Sequence, residues 1–291
     1  MEYAGAEETV DHSRMRNIII VEHRAKELAN RLWNDLSITA FGMSMGARVI
    51  NTTRLEHLHF WRYVHMLYAR FVDVATRHTC GVWTTGMPKF LPPTASLSKK
   101  FEACNTLYFF GWLFRNPAGL KKYRDALIKA FAPGARIQNK IQDILATVPS
   151  DRIRIGMHIR QRPFKGFENG EFLISLARMK TILEEFLREK MLHARDVALV
   201  VVSDCPIPDG AFEGFTTVMS PEDEKTNLFL LSKCSAVIGD NSTFSNLAAW
   251  FGDVPHIVAT DEPVDWPYYR DKKKYFENTY ATFTHGSLVY P

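Results

Sequence analysis

Apolar residues recur along this chain in two different rhythms. Compact apolar runs mark strands: Asn17–Val21 (NIIIV), Ala47–Asn51, Val197–Val202 and Ala236–Gly239. Ile153, Ile155, Met157 and Ile159 alternate with other residues, a period of two that belongs to a strand. TTVM at 216–219 and VPHIVA at 254–259 supply two more short strands. Between these runs the spacing changes. Leu28, Leu32, Leu36, Thr39 and Met43 fall on one helical face, and Gly46 suits the end of that helix. Residues 52–80 carry a long amphipathic pattern, and 81–105 are rich in Thr, Pro, Ser and Lys, as loops are. LYFFGWLFRNP reads as an aromatic strand, followed by one or two helices broken at Pro133-Gly134. Later helices are predicted over Glu171–Leu192, from Ser220 as cap with Pro221 in the first position, and from within NSTFSNLAAWFG.

Strand, loop and helix thus alternate, which predicts an α/β protein with parallel strands. A boundary near Thr147–Asp151 gives a polar, flexible lead at 1–16, a first α/β domain at 17–148 and a second at 149–291. The aromatic, basic tail DWPYYRDKKKYF is a candidate to pack back on the first domain.

Composition narrows the class. The 291 residues are 46% hydrophobic and 23% charged, as in a soluble globular protein with a sizeable core. A net charge of +4 suits a phosphate-bearing ligand or peripheral contact with an anionic membrane, and is too weak to argue for nucleic acid. No apolar run is long enough for a transmembrane segment. Cys80, Cys104, Cys205 and Cys234 lie too far apart in sequence for a zinc knuckle. They read as free thiols of a reducing compartment, so a cytoplasmic protein is expected. His57, His59 and His65 lack the carboxylate of an HExxH arrangement, and no metal is expected there.

Chemistry gathers at three strand ends in the second half. His158 and Arg160 share a face at the end of one strand, just before Gln161, Arg162 and Pro163. Ser203 and Asp204 end the next strand, and Asn241, Ser242, Thr243, Phe244 and Ser245 open a helix after a third. Taken singly, each is also what a turn or a helix cap looks like. Together, at the carboxyl edge of a parallel sheet, they form a ligand site. A forked guanidinium beside a helix start is suited to phosphate oxygens.

The combination of HIR, SD and LLSKCSAVIGDNSTFSNLAAW, with LANRLWN after the first strand, resembles the fucosyltransferase superfamily. That group includes α-1,2-, α-1,6- and protein O-fucosyltransferases. The resemblance implies a GT-B architecture, two Rossmann-like domains facing across a cleft. It also implies inverting transfer of L-fucose from GDP-fucose to a glycan hydroxyl, with no metal or other cofactor. The absence of a DxD motif agrees with this. On that likeness Arg160 binds the diphosphate and His158 lines the same site. Asp204 holds the guanosine, Ser242, Thr243 and Phe244 contact phosphates and nucleoside, and Asn30 reaches in from the first domain. Asn241 and Ser245 belong to the same helix start.

Two departures stand out. The family often has a second Arg and an Asp after HxR, where this chain has Gln161 and Pro163; Arg162 is a candidate to replace the Arg. A tryptophan pair of the α-1,2 type is replaced by Asn246 and Leu247. The general base has two candidates by resemblance, Glu168 and Glu27. Alternative readings are another GDP- or UDP-linked pentose or deoxyhexose, and a catalytically silent nucleotide- or glycan-binding module.

Overall fold

A computed structural model of the chain describes residues 16–22, 27–52, 79–83, 94–104, 106–161 and 173–270. The amino-terminal lead, the three histidines of the 52–80 stretch, Arg162 and Glu168 lie outside the described residues. The chain divides into two compact units. The first comprises residues 1–26 and 31–127, the second 27–30 and 128–291.

In the first unit β1 (Asn17–Glu22), α1 (Leu28–Ser44), β2 (Arg48–Asn51) and β3 (Thr79–Trp83) are followed by α2 (Ala95–Ala103) and β4 (Thr106–Phe110). The strands form a parallel sheet in the order β2-β1-β4-β3. The helical spacing from Leu28 to Met43 is realised in α1, and Gly46 at φ +60° ends it in the left-handed region that glycine favours. Ile18, Ile20, Ile38, Leu107 and four phenylalanines fill the core. Phe41 meets Phe101, Phe109 and Phe114 edge to face at 5.9–6.4 Å, the geometry aromatic quadrupoles prefer.

Pro133-Gly134 breaks the next helical run as expected, and Tyr123 breaks it once more. The run therefore holds α3 (Pro117–Lys122), α4 (Arg124–Ala130) and α5 (Ala135–Ala146).

The second unit carries β5 (Ile153–Ile159), α6 (Leu176–Glu189), β6 (Val197–Ser203), β7 (Thr216–Met219) and α7 (Glu224–Leu231). These are followed by β8 (Ala236–Gly239), α8 (Thr243–Gly252), β9 (His256–Val258) and α9 (Trp266–Arg270). All five strands run parallel in the order β7-β6-β5-β8-β9. Val197–Val202 are buried throughout, as a strand covered on both faces must be.

Several sequence expectations need correction. Helix α6 starts at Leu176 and not at Glu171, because Ser175 caps it by accepting the Arg178 N–H at 3.1 Å. Helix α7 is capped by Asp223 and not by Ser220. The Asp223 carboxylate accepts both the Thr226 N–H and its hydroxyl, whereas Ser220 Oγ is engaged with Asn227. These bonds outweigh burial and hold the Asp223 carboxyl below its ordinary range, with Lys140 adding to the effect, so its charge complements the helix dipole. The described end of the tail packs on the second unit. Trp266 donates to Glu185, Tyr269 OH accepts the Val258 N–H, and Arg270 forks onto Glu189 at 2.8 and 2.9 Å.

The cysteines also divide. Cys205 and Cys234 are free, but Cys104 is disulfide-bonded. The expectation of four free thiols fails there, and with it the argument for a reducing compartment, since structural disulfides belong to oxidising ones. Among the described residues no helix is long and apolar enough to cross a membrane.

Candidate functional site

The site grows from the pairing of β5 with its two neighbours. His158 pairs with Val202 of β6 on one side and with Gly239 of β8 on the other. The strand ends that carry His158, Ser203 and Gly239 are therefore adjacent, as the carboxyl-edge argument expected. Arg160 and Gln161 follow β5, both half-buried.

Gly239 determines how closely these elements approach. A Cβ there would lie 2.6 Å from Ser245 Oγ and 3.1 Å from His158 Cβ, so only a glycine admits both neighbours. The chain then turns through Asp240 and Asn241 into α8. Ser242 caps that helix, its Oγ accepting the Ser245 N–H at 3.3 Å.

A compact hydrogen-bonded cluster results. His158 Nδ1 lies 2.7 Å from Ser245 Oγ and 3.4 Å from Asp240 Oδ1. Ser245 Oγ reaches Asp240 Oδ1 at 3.4 Å and Ser242 Oγ at 3.2 Å. The Phe244 ring lies against the imidazole with centroids 4.8 Å apart. Asp240 is 3% exposed. Burial alone would push its carboxyl up. Hydrogen bonds from His158 and Ser242, with the charges of His158 and Arg160, bring it below the ordinary carboxylate range, so it is ionised. Behind it on β9, burial pushes the His256 imidazole down to about 4, keeping it neutral near neutrality.

Asp204 joins the site from the end of β6. Its Oδ1 accepts the Gln161 N–H at 2.7 Å, so the carboxylate ties the end of β6 to the chain leaving β5. The Gln161 side chain donates to the carbonyls of Arg160 and Ile174 at 3.3 and 3.4 Å. It thus braces this backbone where the resembled family often carries a second guanidinium.

The structure therefore gathers His158, Arg160, Asp204 and Asn241–Ser245 along the adjacent ends of β6, β5 and β8. Glu27 and Asn30 stand at the start of α1 and do not enter this hydrogen-bonded cluster; Asn30 Oδ1 is buried without a partner. Asp240 was missed by sequence reasoning. Its signal was a carboxylate directly following the apolar strand AVIG and preceding the helix-cap run. Chemically the assembly offers a guanidinium, an imidazole, hydroxyls and the amino-terminal end of a helix, groups suited to an anion. Among the described residues no group of three or more His, Cys, Asp or Glu is placed to hold a metal ion.

No protein-family model matches the chain, and no curated protein matches it. Solved structures do. POFUT1 in complex with GDP-fucose is 13% identical, with a TM-score of 0.51 over 82% of this chain and 95% of the other. A mutant of Arabidopsis thaliana FUT1 in complex with GDP is 12% identical, with a TM-score of 0.50 over 85% of this chain and 71% of the other. Fucosyltransferase NodZ from Bradyrhizobium is 13% identical, with a TM-score of 0.50 over 84% and 96%. What is shared is the fold: α/β with parallel sheets, of the GT-B kind that the sequence resemblance implied.

Proposed function

We propose that this protein is a glycosyltransferase that takes a sugar from a GDP-linked donor, with L-fucose the best-supported sugar, and passes it to a glycan hydroxyl. One observation carries the reading: His158, Arg160 and the Ser242-capped helix meet at adjacent strand ends of a parallel sheet. Structures that share this fold contain GDP or GDP-fucose.

The chemistry follows from charge. Displacement at the anomeric carbon leaves a diphosphate whose negative charge grows in the transition state. Arg160 and the N–H groups at the start of α8 then bind the transition state more tightly than the ground state. These donors balance the leaving group without a cation, which makes the transfer metal-independent. A direct displacement inverts the anomeric centre. Glu27 and Glu168 are the candidates to take the acceptor proton, while Arg162 and Asn30 are candidates for further donor contacts.

A second reading keeps the scaffold and changes the donor. Gln161 favours it, because this residue spends its side chain on backbone carbonyls and offers the donor no charge. Thermal unfolding against GDP, UDP and ADP separates the two. A ligand bound only by the folded state raises Tm, by about 2.7 kcal/mol of stability at a hundredfold excess over Kd. Stabilisation by GDP and not by UDP supports a GDP-linked donor and the reverse a UDP-linked one; transfer from GDP-fucose itself then decides the sugar.

A further inference from the structure

Asp240 is buried immediately after β8, and the transfer chemistry above makes no use of it. Its surroundings fix where protons lie. An ionised carboxylate accepts hydrogen bonds and donates none. Ser245 Oγ carries a single proton and donates it to Asp240 Oδ1 at 3.4 Å. The same oxygen then faces His158 Nδ1 at 2.7 Å as an acceptor. Nδ1 also lies 3.4 Å from Asp240 Oδ1. A lone pair on Nδ1 would confront two acceptors at once, whereas a proton there satisfies both. His256, which comes from β9, is neutral and offers Asp240 no competing charge. The Phe244 ring walls the imidazole at 4.8 Å.

We infer that Asp240 is a positioning residue: with Ser245 it locks the His158 imidazole in the Nδ1–H tautomer, leaving Nε2 as the nitrogen that meets the ligand. The identity of that ligand rests on the nucleotide-sugar reading; the tautomer does not. Free imidazole side chains favour the proton on Nε2, so this arrangement reverses the ordinary preference.

The experiment is long-range ¹⁵N–¹H NMR on protein labelled in histidine, with His158→Gln used to assign the resonance. Neutral His158 is expected to show Nδ1–H in the wild type and in Ser245→Ala, where the carboxylate remains. Asp240→Asn is expected to return it to Nε2–H and to weaken GDP binding about tenfold or more. An Nε2–H ring in the wild type, or an unchanged tautomer in Asp240→Asn, overturns the inference. Should Asp240→Asn not fold, the wild-type and Ser245→Ala spectra decide alone. An Nδ1–H ring in a protein that does not bind GDP upholds the inference and removes the nucleotide reading instead.

Discussion

Gly239→Ala is the smallest change that strikes the centre of the site. The added Cβ would sit 2.6 Å from Ser245 Oγ, against the 3.4 Å at which ordinary contact begins, an overlap of 0.8 Å. Ser245 has nowhere to retreat: it is fully buried in the first turn of α8, and its hydroxyl is the partner of His158 Nδ1 at 2.7 Å. The other two neighbours, Cβ and the carbonyl oxygen of His158, are each 3.1 Å away on the central strand. Overpacking of this kind costs about 1–3 kcal/mol, and loss of the His158–Ser245 bond about 1 kcal/mol more. At roughly 2–4 °C per kcal/mol for a domain of this size, Tm should fall by about 4–16 °C. Differential scanning calorimetry reads that shift, and calorimetric titration reads a matching loss of GDP affinity. Gly134→Ala is the control, because a Cβ there meets nothing within 4 Å and φ is −66°; it should stay within about 0.5 kcal/mol of the wild type. Equal Tm and equal GDP affinity for the two variants would refute the reasoning.

Other outcomes follow from the same geometry. Stability should fall by roughly 3 kcal/mol as pH drops from about 6.5 to about 4, because the unfolded chain protonates His256 across that window while the folded one does not. Urea titrations at several pH values test this, and His256→Gln should flatten the slope by one proton; an unchanged slope counts against it. Asp240 acts in the same sense but lower: its depressed carboxyl contributes stability that is present above the unfolded carboxylate range and is lost as pH falls through that range towards the folded value. Thiol titration of denatured, unreduced protein should find the two thiols of Cys205 and Cys234, rising after reduction; four at the outset would exclude the Cys104 disulfide. Donor turnover should survive excess EDTA, whereas loss in chelator with recovery on adding Mg²⁺ or Mn²⁺ would reject charge balance by Arg160 and the start of α8.

What could be read from the sequence was local in origin. The period of two in Ile153–Ile159 and the continuous apolar run at 197–202 marked β5 and β6, because one-residue alternation and full burial leave direct traces in composition. His158, Arg160 and Ser242 were found because strand ends and helix caps have short signatures. The missed features depend on pairing between distant segments. Gly239 looks like any strand-ending glycine until β8 is laid beside β5, and only then is its hydrogen seen to admit His158 and Ser245. Asp240 looks like a turn acid until burial and His158 surround it. Ser220 and Asp223 competed for one cap, and the engagement of Ser220 with Asn227 leaves the Thr226 N–H and hydroxyl to Asp223, with Lys140 from α5 adding its charge 3.6 Å away. Cys104 showed no local spacing motif, so its disulfide left no sequence signal.

The most direct test of the central claim is release of GDP from GDP-fucose in the presence of a panel of glycan acceptors, for the wild type and for Arg160→Ala with its fold checked by circular dichroism. The wild type should release GDP in step with an acceptor, and Arg160→Ala should lose roughly 10²- to 10³-fold in rate, as the removal of a preorganised donor to developing charge does. Undiminished turnover in Arg160→Ala, or a wild type that binds GDP yet transfers from no GDP-sugar, would contradict it.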